Sequence, residues 1–160
     1  MIMQHTLEIF LTKIVETNIL YKQVKIDITA KTENPDDLVL LAVQKYNQEI
    51  IEKNRIISHS TSWRYVEGGE TIITYIVYSD DFELDTASSE TFSIEEISIL
   101  ESGDVARPSP KEIPLQNVVS HGVRHLAYLV TNNPSVYGSV LSQNTMLRFK
   151  EIDTALAGKI

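Results

Sequence analysis

Two histidines four positions apart form the string of this sequence that is best suited to chemistry. In the segment His121-Gly-Val-Arg-His125, residues i and i+4 share one face of a helix, as two ligands of one metal ion must. The zinc-protease motif has a glutamate general base after its first histidine, but Gly122 stands there in this chain. Three interpretations stay open: a polar helix face with a partly packed histidine, a metal site built on His121 and His125 with a third ligand from His59 or an acid, and contact with a substrate or an anion.

His59 is the second candidate, because it alternates in phase with the aromatic residues Trp63 and Tyr65. In such surroundings it could act as a general acid or base, with Tyr78 as its hydrogen-bond partner. It could equally be a core histidine whose polar atoms are satisfied by a neighbouring hydroxyl or carbonyl. Trp63, Tyr65, Tyr75 and Tyr78 could stack a planar ligand, but aromatic pairs also stabilise sheets across strands.

A β-hairpin must position His59. Residues 55–66 and 70–79 alternate as two strands, and Gly68-Gly69 between them tolerates the positive φ angles of a tight turn. A two-residue turn there predicts these cross-strand pairs: Glu67 with Glu70, Tyr65 with Ile72, Trp63 with Thr74, Thr61 with Ile76, and His59 with Tyr78. A slip of one residue would exchange the two faces.

Periodicity and capping residues predict the remaining elements. Apolar residues at helical spacing favour a helix over 5–18, with a strand as the alternative, and alternation predicts a strand over 21–30. Asn34-Pro35 starts a helix that runs to about Asn54. One more strand is expected over 91–101. Helices are expected over 114–131, from Asn133-Pro134 to about 142, and from Asn144 or Thr145 onward.

This order of elements predicts an α+β fold with a mainly antiparallel sheet, a central hairpin, and helices on one side. We expect a single domain over 1–160, with the sheet and its helices in 1–101 and a helical part in 115–157. The segment 102–114 contains three prolines and reads as a linker between those two parts.

Composition limits the classes of partner. The net charge is −8, and residues 80–104 hold nine acids without a lysine or arginine. An acidic chain without a basic stripe is a poor candidate for nucleic-acid binding. The chain has no cysteine, no apolar run of the roughly 20 residues that a membrane helix needs, and no signal-peptide pattern at its start. We therefore expect a soluble protein of a bacterial cytoplasm.

No complete catalytic motif and no glycine-rich phosphate loop is present in the sequence. We expect a domain that binds a protein partner or a small ligand without a cofactor, and homo-oligomers fit this expectation. The alternative is a small enzyme with a pocket between the hairpin and the helix over 114–131. In that enzyme His59 would be the general acid or base, and Tyr78 would orient its ring. Arg124 would bind an anion. This alternative requires His59 to lie within about one side-chain length of His121 or His125.

Two strings are similar to a bacterial family of uncharacterised proteins. They are His59-Ser-Thr-Ser-Trp-Arg-Tyr65, followed by Ile73-Thr-Tyr75, and His121-Gly-Val-Arg-His125-Leu-Ala, followed by Asn133-Pro134. The resemblance implies no activity or cofactor. It implies that the hairpin and the helix that carries His121 belong to one site, and it leaves the ligand unidentified.

Overall fold

The sheet is built around its first strand. In a computed structural model, which describes residues 4–29, 33–66, 68–97 and 113–157, five strands lie in the order β3-β4-β1-β2-β5. The strands are β1 (Gln4–Val15), β2 (Asn18–Ile28), β3 (Ile57–Val66), β4 (Glu70–Tyr78) and β5 (Glu90–Ser93). Only the β1–β4 pair is parallel among these five strands. The predicted α+β class with a mainly antiparallel sheet is confirmed.

The helix that we predicted over 5–18 is wrong, since β1 occupies that segment. Leu7, Ile9 and Leu11 face one side of the sheet, and Phe10 faces the other. A central strand that is covered on both faces loses the apolar–polar alternation of a half-buried strand, so its pattern can mimic a helix. The strand β2 also begins at Asn18, three residues before the predicted start.

Helices cover both faces of the sheet, and not one face as predicted. On one side lie α1 (Pro35–Tyr46) and α2 (Gln48–Glu52), which share a core with Leu7, Ile9 and Leu11. The single helix that we expected over 34–54 is divided at Asn47, whose backbone is extended and whose side chain caps α2. The predicted start of α1 at Asn34-Pro35 is confirmed, because the Asn34 side chain accepts a hydrogen bond from the amide of Asp36.

The other face of the sheet is covered by the helices α3 (Leu115–Asn132) and α5 (Gln143–Ala157), with the short α4 (Pro134–Tyr137) between them. Their apolar residues pack on Phe10, Ile76 and Tyr78 of the sheet. The prediction of a helical C-terminal third is confirmed. The strand that we expected over 91–101 is shorter, because β5 ends at Ser93 and a 3-10 turn follows over Ile94–Glu96. Residues 98–112, which include most of the predicted linker, lie outside the described residues.

The glycine turn is where we expected it, with positive φ at both Gly68 and Gly69. The predicted register is wrong, however, because β3 ends at Val66 and pairs that residue with Glu70, so three residues connect the strands. A bulge between Ser60 and Ser62 shifts the register a second time. The observed pairs are these: Tyr65 with Thr71, Trp63 with Ile73, His59 with Ile76, and Ile57 with Tyr78.

Candidate functional site

The bulge at Thr61 separates the residues that we placed on one face of the hairpin. N-terminal to it, His59 lies on the face that α3 covers, beside Ile76. C-terminal to it, Trp63 lies beside Ile73 on the opposite face. The extra residue in β3 reverses the alternation of side chains between these two points. His59 and Trp63 therefore do not line one pocket.

Three histidines meet where α3 crosses β3. The ring centroids of His59 and His125 are 5.6 Å apart, and those of His121 and His125 are 4.4 Å apart. The proximity that we expected between His59 and the helix is therefore present. His59 and His125 are partly buried, and His121 is exposed at the rim of the cluster.

Two local features bring the histidines of α3 against the strand. Gly122 lies against Ile76, and a β-carbon at this glycine would be 2.9 Å from Cδ1 of Ile76. The missing side chain thus allows α3 to approach the sheet closely. The bulge then supplies a polar anchor, because the ring of His121 is hydrogen-bonded to the backbone of Thr61. Gly122 stands where a zinc protease would have its glutamate general base, and in this fold it allows α3 to pack closely on the sheet.

Cationic groups dominate the electrostatics of this cluster. Burial lowers the pKa of His121, and the positive charge of Arg124 lowers it further, while the hydrogen bond that the ring donates to the Thr61 backbone carbonyl opposes both effects. Burial also lowers the pKa of His125, with additional contributions from His121, His59 and Arg124. No carboxylate contributes to either shift. We define this group, His59, His121, Arg124 and His125, as the histidine cluster.

Arg124 differs from the other arginines that the structure describes. Arg55, Arg64 and Arg148 each form an ion pair with a carboxylate, at 2.9 Å in every case. Within the described part of the chain Arg124 forms no ion pair, and this distinguishes it from the other three. Its buried Nε atom has no hydrogen-bond partner, a property that it shares with Nε of Arg148. A guanidinium without a counter-charge is unusual in a chain of net charge −8, and it leaves donors free for an external acceptor.

The predicted pairing of His59 with Tyr78 is wrong. Tyr78 stands opposite Ile57, is 1% exposed, and donates its hydroxyl hydrogen bond to Asp80 at 3.0 Å. Burial raises the pKa of Tyr78 strongly, and the charge of Asp80 adds to the shift. The hydroxyl is therefore a structural donor with a fixed acceptor, and it does not orient the imidazole of His59.

The remaining aromatic candidates lie apart from the histidine cluster. Trp63 and Tyr65 are 72% and 58% exposed, beside an open groove over the outer part of the sheet. Tyr75 contacts the opposite helix layer, where its hydroxyl donates to Asp36 at 2.5 Å. Burial and this carboxylate together raise the pKa of Tyr75 to about 12. The four aromatic residues therefore do not form one cluster.

Sequence reasoning missed a buried acid in the middle of the sheet. Glu8 is 0% exposed and accepts hydrogen bonds from both terminal nitrogens of Arg64, from Gln23 and from Thr74, at 2.8–3.2 Å. A signal was present, because Glu8 interrupts the apolar run from Leu7 to Leu11. Every interaction that Glu8 needs is supplied within the protein, so this network holds strands together and leaves no site for a ligand.

The lowered histidine pKa values predict how stability changes with pH. The folded chain binds protons at His121 and His125 less readily than the unfolded chain, whose histidine pKa is 6.5. The free energy of unfolding should therefore be fully retained above pH 6.5 and should fall as the pH drops through the lowered values. Solvent screening keeps the change modest, because both rings are partly exposed.

This pH dependence can be measured with urea unfolding at a series of pH values from 8 to 5. The double variant His121→Gln/His125→Gln should show a shallower fall on the acidic side than the wild type. His5→Gln, which removes a histidine of β1 outside the cluster, should leave the profile unchanged. An identical profile for the wild type and the double variant would contradict the assignment.

The proximity of three imidazoles does not by itself form a metal site. Among the residues that the structure describes, no group of three or more histidine, aspartate or glutamate side chains is arranged to hold a metal ion.

No helix in the described ranges is long and apolar enough to cross a membrane. No protein-family model matches the chain, and no curated protein matches its sequence. Functional inference therefore rests on the geometry of the histidine cluster.

Proposed function

We propose that this protein binds a small ligand through a carboxylate or phosphate group at the histidine cluster. The observation that carries the proposal is Arg124, a partly buried guanidinium beside His121 and His125 that has no carboxylate partner among the residues described by the structure. Fixed cationic donors with unused hydrogen-bonding capacity are suited to carboxylate and phosphate oxygens. The overall acidity of the chain does not oppose this, because the charge that acts on the cluster is local and positive.

The roles of the cluster residues differ in this proposal. Arg124 carries its charge at every physiological pH and attracts the anion. His125 lies between the rings of His59 and His121, so protonating it without an anion places cations side by side. A bound anion would relieve that repulsion and raise the pKa values of His121 and His125. Binding and protonation are therefore linked, and affinity should increase as the pH falls from 8 to 6.

Binding is favoured over catalysis because the proposed acid–base pair is not assembled. A catalytic His59 would need a partner that orients its ring. The hydroxyl of Tyr78, which we expected in that role, donates its hydrogen bond to Asp80 instead. The proximity of His59 to His125 remains, and it serves a binding site as well as a catalytic one. A reaction would require a further group that the described residues of the cluster do not supply.

We predict that Arg124→Gln weakens anion binding about tenfold or more, since a hydrogen bond to a charged group contributes about 1.5–3 kcal/mol. Isothermal titration calorimetry with inorganic phosphate and with citrate, at pH 6 and pH 8, measures the effect. Arg148→Gln is the matched control, because Arg148 is already paired with Glu151 on α5. Equal affinities for the wild type and the Arg124 variant, or absence of binding of both probes at pH 6, would reject the proposal.

A further inference from the structure

The outer strand β3 has little protection against pairing with another strand. It lies at one end of the strand order, and its ten residues include no proline and no lysine. Arg64 is its one charged residue, and that side chain is paired with Glu8 of β1. Sheet proteins commonly protect such edges with prolines, lysines, very short strands, inward-pointing charges or bulges. Of these, β3 has the charge of Arg64 and a bulge at Thr61. At the opposite edge of the sheet, β5 spans only four residues, and a strand this short offers little backbone for pairing with another strand.

The bulge limits the part of β3 that can accept a new strand. At Thr61 the backbone is already hydrogen-bonded to the His121 ring, and the strand is displaced from its regular register. Beyond the bulge, Ser62–Val66 is regularly paired with β4 on its inner side. Five residues is an ordinary length for a strand. The open edge available for pairing is therefore Ser62–Val66, on the opposite side of the bulge from His59.

Two of the three strongly exposed aromatic residues in the described ranges lie on this edge, and the third, Tyr128, lies on α3. Trp63 and Tyr65 alternate along β3, so both side chains lie on one face of the sheet. They are 72% and 58% exposed, and Trp63 lines an open groove of about 450 Å³. The residues that line the groove are His5, Ser60, Thr61, Ser62, Trp63, Thr71 and Ile73. A strand added beside Ser62–Val66 would place its own side chains against both aromatic rings.

We propose that a second copy of this chain pairs with Ser62–Val66 in antiparallel fashion, about a two-fold axis at Arg64. This arrangement is isologous, since the same five residues serve both partners. It sets Trp63 opposite Tyr65 of the second copy, and Tyr65 opposite Trp63 of the second copy. Aromatic cross-strand pairs of this kind are among the stabilising pairs of antiparallel sheets.

The edge is complementary to itself, which identifies the second copy as the occupant, and local charge does not oppose the contact. Two chains of net charge −8 repel each other, so contact is least unfavourable where neither adds an unpaired charge. Ser62–Val66 meets that condition, because its one cation is already neutralised by Glu8 at 2.9 Å and 3.0 Å. At the proposed axis the two Arg64 side chains therefore approach each other with their charges already neutralised, each by Glu8 of its own chain.

Light scattering after size exclusion, over a wide range of protein concentration, tests the proposal. The wild-type mass should rise from 18.1 kDa toward twice that value. Trp63→Lys and Tyr65→Lys should each stay at the monomer mass, because a lysine on an edge strand opposes pairing. Val136→Lys and Leu147→Lys are matched controls, since both residues are about as exposed as Tyr65, at 61% and 60%. These controls should dimerise like the wild type.

The single tryptophan of the chain gives a second measurement that needs no variant. Trp63 is the only tryptophan in the sequence, so its emission reports directly on the proposed interface. We expect the emission to shift to shorter wavelength as the wild type associates, and to remain unshifted in Tyr65→Lys. A wild type that remains monomeric at all concentrations overturns the proposal. So does a dimer that Val136→Lys or Leu147→Lys abolishes and Trp63→Lys does not.

Discussion

Replacing Glu8 by alanine should lower the free energy of unfolding by about 3 kcal/mol, near the lower end of the cost of breaking a buried ion pair. Glu8 is fully buried and accepts four hydrogen bonds, two of them from Arg64. Its removal leaves the arginine without a counter-charge. The arginine side chain is 29% exposed, so partial access to water keeps the loss below the largest values for such pairs.

Urea unfolding followed by circular dichroism measures this loss. The control is Glu151→Ala, which removes the carboxylate partner of Arg148 on the surface of α5. That side chain is 61% exposed, so its removal should cost about 1 kcal/mol at most. If Glu8→Ala costs no more than Glu151→Ala, the network does not hold the four strands β1, β2, β3 and β4 together as described.

The second large effect is expected at Asp80, which connects the end of β4 to the start of α5. Asp80 accepts hydrogen bonds from the hydroxyls of Tyr78 and Thr145, at 3.0 Å and 2.6 Å, and from the amide of Ser142 at 2.8 Å. Asp80→Ala should therefore destabilise the fold by about 3 kcal/mol, because it removes a charged acceptor from a buried hydroxyl and from the helix start.

The adjacent acid provides a matched control for this experiment. Asp81 forms an ion pair with Arg55, and both side chains are largely exposed. Asp81→Ala should consequently produce a much smaller loss of stability in the same urea titration. Equal losses at the two neighbouring positions would show that acidity in this turn, and not the specific contacts of Asp80, determines the stability.

The sequence was informative wherever one face of an element is buried and the other is solvated. The helix α3 was predicted over 114–131 and spans Leu115–Asn132, because its apolar stripe packs on the sheet and its other side meets solvent. The start of α1 was equally clear, since Asn34 and Pro35 act through local geometry. These signals depend on few neighbours, so they can be read without tertiary information.

The sequence was misleading where tertiary contacts determine local structure. The strand β1 contacts apolar residues on both faces, so its pattern carries no period of two. The bulge at Thr61 has no local marker such as a glycine, and it arises between two paired strands. That one extra residue decided which side chains of β3 could share a site.

The candidate site was therefore predictable in part. The proximity of His59 to the helix of His121 and His125 followed from the expected packing of that helix on the hairpin. The inclusion of Trp63, Tyr65 and Tyr78 in the same site depended on the register, and that register was wrong. The lack of a described ion-pair partner for Arg124 could not be read from sequence, because it depends on where the surrounding carboxylates lie in the fold.

The most direct test of anion binding is an NMR titration of the four histidines with and without inorganic phosphate. We expect phosphate to raise the pKa values of His121 and His125 in the wild type and to leave His5 unchanged, because His5 lies outside the cluster. In Arg124→Gln the same shift should require about tenfold more phosphate or more. Unchanged pKa values at His121 and His125 with saturating phosphate, or a response to zinc ions alone, would contradict the assignment of an anion site.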